Sequence, residues 1–208
     1  MTISTPADAA PVFQSLDLAR FTHEERYKFL MAAVVPRPIA LVTTLGTNGV
    51  LNAAPFSSYI CLSIEPALLG IVVALDDQLE LKDTHRNIAA SGEFVINAVT
   101  ESMAAQVQRC AERFAPGVSE VEMIGFATLP STQVKPARIA DSPLQFECRL
   151  QRAIEFGDRH STLFVGEVLV AHCAEGLAQG HRIDHFRLNP LGRIAGRRYV
   201  RTMQFVDV

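Results

Sequence analysis

The sequence predicts a mainly β protein with peripheral helices, built as an antiparallel barrel or sandwich. Three observations carry this. From Leu144 to Phe156, the residues Leu144, Phe146, Cys148, Leu150, Ile154 and Phe156 share one parity, while Gln145, Glu147, Arg149 and Gln151 take the other. A period of two marks a long strand with one face on a core. The next run, Thr162 to Cys173, is apolar on both parities apart from Glu167 and His172. Such a strand is covered on both faces, by core on one side and by a partner subunit on the other. Third, Ile39 to Leu45 and Leu51 to Tyr59 flank Gly46-Thr47-Asn48-Gly49, and Asn-Gly between two strand-like runs signals a hairpin.

The elements follow in order. Residues 1–20 read as a tail, and its first part, Met1 to Pro11, lacks the basic start and long apolar core of a signal peptide. Thr22 to Val34 reads as a helix: Thr22 caps it, Glu24 and Glu25 occupy its first turn, and Tyr27, Leu30, Met31 and Val34 share a face. Pro36 and Pro38 end it and force an extended chain. Pro55 interrupts the return strand of the hairpin and argues for an edge or a bulge. Leu68 to Leu75 is a further apolar run. A short helix opens at Lys82-Asp83-Thr84, capped by Asp83 or Thr84, and Ser91-Gly92 closes it. Glu93 to Val99 is a strand, and Ser102 to Phe114 reads as an amphipathic helix ending before Pro116-Gly117. Nothing divides the chain beyond the tail, so residues 21–208 are expected to form a single domain.

Composition narrows the function. Hydrophobic residues make up 49% of the 208 residues, enough for a large core. The formal net charge of −3 leaves no broad basic face for nucleic acid. Only Arg193 with Gly196-Arg197-Arg198-Tyr199-Val200-Arg201 is locally basic, and it reads as a solvated C-terminal segment. No window reaches the ~18 apolar residues of a membrane helix, and the expected location is cytoplasmic. Cys61, Cys110, Cys148 and Cys173 form no Cys-x-x-Cys and read as buried, reduced thiols. Of the histidines only His181 and His185 are close in sequence, and no metal site is expected. No Gly-x-Gly-x-x-Gly follows a strand and no Walker loop is present, which excludes the common nucleotide folds.

Three segments concentrate residues suited to a phosphorylated, ring-bearing cofactor. The helix start at Lys82-Asp83-Thr84 combines free N–H groups, a cation and a hydroxyl, as a phosphate needs. Asp83 is a poor neighbour for a phosphate and suits a cap or a hold on Lys82 or Arg86. Arg37, stiffened between two prolines, can fork onto a phosphate or ring carbonyls, or pair with a carboxylate such as Glu167. Thr43 and Thr44 point to opposite faces of their strand, so one of them meets a given ligand. Asn52 can donate and accept at once, Ala53 and Ala54 let a ring lie on the backbone, and Ser57 and Ser58 add hydroxyls. Asn87 lies one turn beyond the helix start. Near prolines, Asn and Ser also serve plain turn chemistry.

Together, Pro36-Arg37-Pro38-Ile39-Ala40-Leu41-Val42-Thr43-Thr44 with Gly49, Asn52-Ala53-Ala54-Pro55-Phe56-Ser57, and Lys82-Asp83-Thr84-His85-Arg86-Asn87-Ile88 resemble the FMN-binding split-barrel family, in its flavin reductase-like, flavoredoxin-like branch. Weaker echoes are Gly92 to Asn97, Phe146-Glu147-Cys148, Gly166-Glu167-Val168, and Pro190-Leu191-Gly192-Arg193 with Tyr199. The resemblance spans residues 20–200. It implies an antiparallel Greek-key split barrel working as a homodimer, with FMN at the subunit interface. The phosphate would lie near the Lys82 helix and the ring along Asn52 to Ser57. The cofactor-binding residues it implies are Arg37, Thr43, Thr44, Asn52, Ala53, Ala54, Ser57, Ser58, Lys82, Asp83, Thr84 and Asn87. It also implies an oxidoreductase moving electrons from NADH or NADPH through FMN to an acceptor, which could be a partner protein. The His-Phe-Arg-Leu-Asn-Pro around His185 looks more like the flavoredoxin branch, so a carrier that never oxidises nicotinamide is the alternative. A barrel without flavin, and a pyridoxamine-phosphate-oxidase-like enzyme using Arg197 and Arg198, are further readings. His85 and His185 are candidates for the open face of the flavin, and no catalytic side chain is assigned.

Overall fold

A computed structural model describes residues 12–206, apart from 77, 116 and 159. The chain forms two compact units, residues 1–34 and 35–208. Met1 to Pro11, read as a tail, lie outside the described residues. In the first unit, helix α1 (His23–Ala33) begins with a capping box. Thr22 Oγ1 accepts from the Glu25 N–H at 3.3 Å, and Glu25 Oε2 accepts from the Thr22 N–H at 2.8 Å. The Thr22 cap is the one the sequence predicts; the reciprocal bond from Glu25 satisfies a second leading donor. No residue of α1 is buried, although Tyr27, Phe29 and Leu30 are large and apolar.

The second unit runs β1 (Arg37–Pro38), β2 (Ala40–Leu45), β3 (Leu51–Phe56), β4 (Tyr59–Ser63), β5 (Leu68–Val73), α2 (Asp83–Ser91) and β6 (Glu93–Ala98). After α3 (Ala104–Arg109) and α4 (Glu120–Ile124) come β7 (Thr128–Leu129), β8 (Arg138–Ile139), β9 (Leu144–Phe156) and β10 (Ser161–Cys173). It closes with β11 (Ala178–Gln179), β12 (Arg182–Ile183), α5 (His185–Leu188), β13 (Leu191–Arg193) and β14 (Tyr199–Arg201). Seven strands in the order β3-β2-β6-β9-β10-β5-β4 form one antiparallel sheet that curls into a split barrel. A smaller sheet, β1-β13-β14, stands beside it.

Alternation along the strands produces two cores. Ala40, Val42, Phe56, Ile71, Phe94 and Phe164 meet inside the curl, with Ile88 of α2 among them. Leu41, Ala53, Val99 and Met103 face the other way and pack under α3 and α4. The interior is filled to contact. A Cβ on Gly166 would sit 2.3 Å from the Phe94 ring, at the point where the β9–β10 register shifts between Val165 and Gly166. Gly166 thus lets an aromatic ring cross where any side chain would collide.

Strand β3 is one edge of the sheet, and two of its outer backbone groups have partners. Ser119 Oγ donates to the Leu51 carbonyl at 2.6 Å, and the Ala53 N–H donates to Glu120 Oε2 at 3.3 Å. Because bonded and non-bonded pairs alternate, Pro55 shares the outward parity of Ala53, where it has no N–H to lose. The proline is therefore accommodated inside the strand rather than breaking it.

Three expectations are corrected. The helix expected from Ser102 to Phe114 is only a short 3-10 turn, Glu101–Met103, followed by α3 ending at Arg109. Gln145 and Glu147 are buried, not outward-facing. Their face of β9 lies under the 131–139 segment: Glu147 accepts backbone N–H groups of Thr132, Gln133 and Val134 and meets His172 Nε2 at 2.6 Å. Gln145 bonds Arg138, Ile139 and Ser142. A satisfied polar side chain can hold a loop where an apolar one could not. Within the single chain, strand β10 is buried only in its first half, with Ala171 and Cys173 exposed in the half for which the sequence reading expects a partner subunit on one face. Finally, Cys61 and Cys173 are exposed, whereas Cys110 and Cys148 are buried, and burial pushes both of those thiols up to about 12.

Candidate functional site

The three sequence segments converge where α2 lies across β2 and β3. The β2–β3 hairpin sets Thr44 opposite Asn52, and both side chains face α2. Asn87 Nδ2 donates to Thr44 Oγ1 at 3.0 Å. Asn52 fits with Nδ2 donating to both carboxylate oxygens of Glu120 at 3.1 Å and Oδ1 accepting from Thr84 Oγ1 at 3.0 Å. In the reverse placement Nδ2 would face Thr84 and Thr44, and the amide oxygen would oppose the carboxylate. Two hydrogen-bonded contacts, one per helical turn, thus lash α2 to the hairpin.

The structure sorts the expected cofactor residues by depth. Thr43, Thr44, Asn52, Ala53 and Thr84 are buried. Thr43 donates to the Ala137 carbonyl at 2.6 Å, on the face opposite Thr44. The Thr84 hydroxyl is turned inward to Asn52. Nearer the surface are Ala54, Ser57, Ser58, Asp83 and Asn87, all half-buried, and Lys82, which is exposed. Lys82 stands at the N-cap of α2 with its Nζ 6.0 Å from the ring centroid of Phe56, the residue that precedes Ser57 and Ser58 in the chain. The cap expected from Asp83 or Thr84 is absent: among the described residues no side chain caps this helix start, because Asp83 pairs with Arg86 and Thr84 points inward. The leading N–H groups therefore remain for an anion, with the helix dipole and Lys82 favouring negative charge. Gly92, at φ 69°, supplies the left-handed residue that ends the helix.

Arg37 links the corner between β3 and β4 to the C-terminal sheet. Its Nε donates to Ser57 Oγ at 3.2 Å and its Nη2 to the Ile194 carbonyl at 2.8 Å. Ile194 follows β13, and Arg193 in that strand stacks on Tyr199 and donates to Gln108. Beside Arg37 opens an apolar cleft of about 430 Å³, walled by Ile39, Tyr59, Phe146, Leu188 and Pro190. Of the expected cofactor residues only Arg37 lines it.

Neither histidine expected at an open face is simply placed there. His85 Nε2 lies 3.2 Å from Thr162 Oγ1 and its ring packs edge-on to Phe164, with Nδ1 buried and without a partner among the described residues. Burial pushes its pKa down. His185 is exposed at the start of α5. Glu120 was not singled out by the sequence. It stands in Ser-Glu-Val-Glu at a helix start, where an acid is ordinary, and only folding shows that α4 turns it onto Asn52. Burial pushes its carboxyl above the ordinary range, against the pull of its backbone contacts.

The chain is similar to proteins that cover nearly all of it. An uncharacterized protein of Halalkalibacterium halodurans is 38% identical over 182 residues, 86% of this chain and 87% of its own length. The solved component B of nitrilotriacetate monooxygenase from Bacillus cereus is 31% identical, superposes with a TM-score of 0.91, and is matched over 96% of this chain and 100% of its own. The 2-nitrobenzoate 2-nitroreductase of Pseudomonas fluorescens is 32% identical with a TM-score of 0.82, over 94% of this chain and 95% of its own. Residues 31–191, which include the β2–β3 hairpin, α2 and the long β9–β10 pair, match the flavin reductase like domain, and the chain belongs to that family.

Proposed function

We propose that this protein is an FMN-dependent oxidoreductase that takes electrons from NADH or NADPH and passes them to an acceptor such as oxygen, free flavin or a partner protein. The observation that carries the reading is the uncapped start of α2 bearing Lys82, whose Nζ lies 6.0 Å from the ring of Phe56, the residue before Ser57 and Ser58. It offers a cation and N–H groups for a phosphate beside hydroxyls and small residues for a ring. The donor set fits FMN. Bound there, FMN would supply the redox chemistry by accepting hydride and releasing electrons.

The chain's own residues have other tasks. Lys82 and the first N–H groups of α2 would neutralise the phosphate. Asp83 is held off it by Arg86. Ser57, fixed by Arg37, and Ser58 would line the ring's polar edge. The buried Thr44, Asn52, Thr84 and Asn87 set where these groups stand. The names of the two solved relatives, a monooxygenase component and a nitroreductase, both denote redox work and support this class. A homodimer with FMN at its interface is part of the proposal. The exposed Ile60, Leu62 and Ile64 on and after the open edge strand β4 support it.

The test is an absorbance spectrum after loading with FMN and desalting, followed by anaerobic NADH or NADPH. Co-eluting flavin bands that bleach are expected. Bands that persist unbleached would make the protein an FMN electron carrier fed by another protein. A colourless protein would overturn the flavin reading.

A further inference from the structure

The carboxylate of Glu120 is the one buried acid that touches the lashing between α2 and the hairpin, yet it belongs to neither. It is 8% exposed and lies on α4, on the far side of edge strand β3 from the barrel interior. Ser119, one residue earlier, ties the start of α4 to the Leu51 carbonyl. This fixes Glu120 at the height of Ala53, whose N–H it accepts. From there both carboxylate oxygens meet Asn52 Nδ2 at 3.1 Å, and Asn52 Oδ1 meets the Thr84 hydroxyl at 3.0 Å.

The chain Glu120–Asn52–Thr84 has a direction. With the carboxylate ionised, Asn52 must donate to it, so the amide oxygen is left to accept from Thr84 and the Thr84 hydroxyl is committed inward. Without a carboxylate, nothing selects between the two amide placements: Nδ2 can turn back to Thr84 and Thr44, which lie 3.0 and 3.3 Å away. Thr84 is the second residue of α2, one position beyond Asp83 and two beyond Lys82. A hydroxyl pinned there pins the first turn of the helix, and the first turn is where the N–H groups are free.

We propose that Glu120 is a positioning residue of the cofactor site, acting through Asn52 and Thr84 to hold the start of α2 where a phosphate can be bound. This rests on the FMN reading above. Glu120 touches no cofactor in this role. Its effect is confined to the phosphate end, because the β3–β4 corner that would carry the ring is fixed separately by Arg37 on Ser57. Two variants that cut opposite ends of one chain should then be equivalent.

The experiment compares FMN with riboflavin, which has the same ring and no phosphate. Dissociation constants for both are measured by flavin fluorescence quenching with wild type, Glu120→Ala, Glu120→Gln, Thr84→Val and the Glu120→Ala/Thr84→Val double variant, with circular dichroism melts alongside. Glu120→Ala and Thr84→Val should each weaken FMN about tenfold and leave riboflavin within twofold. The double variant should be no worse than either alone, since all three break the same chain. Glu120→Gln, which can still accept from Asn52, should stay within about threefold of wild type. Should Glu120→Ala fail to fold, Thr84→Val against Glu120→Gln carries the same comparison. FMN affinity unchanged in the variants, FMN and riboflavin weakened alike, or additive losses in the double variant would overturn the inference while leaving the flavin reading standing. A wild type that binds neither ligand would instead remove the flavin reading, and the inference with it.

Discussion

Lys82 and Glu147 show how differently two charged side chains can serve one fold. Lys82 is exposed at an uncapped helix start and has no ion-pair partner among the described residues. Its removal should not disturb folding. Lys82→Ala should weaken FMN binding by about 1.5–3 kcal/mol, the range for a lost charge-assisted hydrogen bond. Equilibrium titration checks it, and unchanged affinity in the folded variant would remove the phosphate assignment. Glu147 is fully buried. Burial alone would raise its carboxyl, but the N–H groups of Thr132 and Gln133 and the His172 ring outweigh this and bring it from 4.5 down to about 2. A depressed carboxyl contributes stability that is present above its ordinary range and is lost as pH falls from about 4.5 towards 2. The shift corresponds to about 3 kcal/mol. Glu147→Gln should therefore lower the melting temperature at pH 7 and flatten its decline between pH 5 and pH 3. A decline as steep as in wild type would assign the acid sensitivity elsewhere. The sequence marks these two residues unequally. Lys82 is legible because a cation at a helix start is itself a pattern. Glu147 reads as a solvent-facing residue of an alternating strand, because nothing local announces that the 131–139 segment folds over it.

At the scale of elements, what the sequence makes legible is what depends on neighbours along the chain. The Thr22 cap of α1, the β2–β3 hairpin and the Gly92 stop of α2 all arise within a few residues, and all are found. What it hides depends on elements distant in sequence. The helix expected from Ser102 to Phe114 does turn Met103, Val107 and Cys110 into the second core, with Ala104 and Phe114 packed against it, but regular α-helix stops at Arg109. Asn52 and Thr84 read as candidate ligand groups because their chemistry is right, while their use of each other appears only when α2 is laid on the hairpin. The β9–β10 crossing offers a direct test of interior packing. Gly166→Ala would place a methyl group 2.3 Å from Phe94. It should destabilise the protein by about 1–3 kcal/mol through overpacking, measured by urea unfolding, and Gly166→Ala combined with Phe94→Leu should recover part of the loss. No loss in the single variant would mean that β10 shifts freely at its bulge.

For the whole molecule, the two edges of the main sheet are treated differently. Along β3, Leu51 and Ala53 are bonded to Ser119 and Glu120, and Pro55 has no donor. Strand β4, at the other end, bears the exposed Ile60 and Leu62. If copies of the chain pair through β4, Ile60→Glu together with Leu62→Glu should shift the protein from dimer to monomer in sedimentation velocity and reduce FMN retention at the same time. A dimer that survives both charges would place the interface elsewhere. The difference between the edges also limits how far strand pairing can spread. Two molecules joined β4 to β4 around a twofold axis would each turn a finished margin outward. A third molecule would meet a margin whose Leu51 carbonyl and Ala53 N–H are already bonded and whose Pro55 has no donor, so growth of a fibre by this route is disfavoured beyond two.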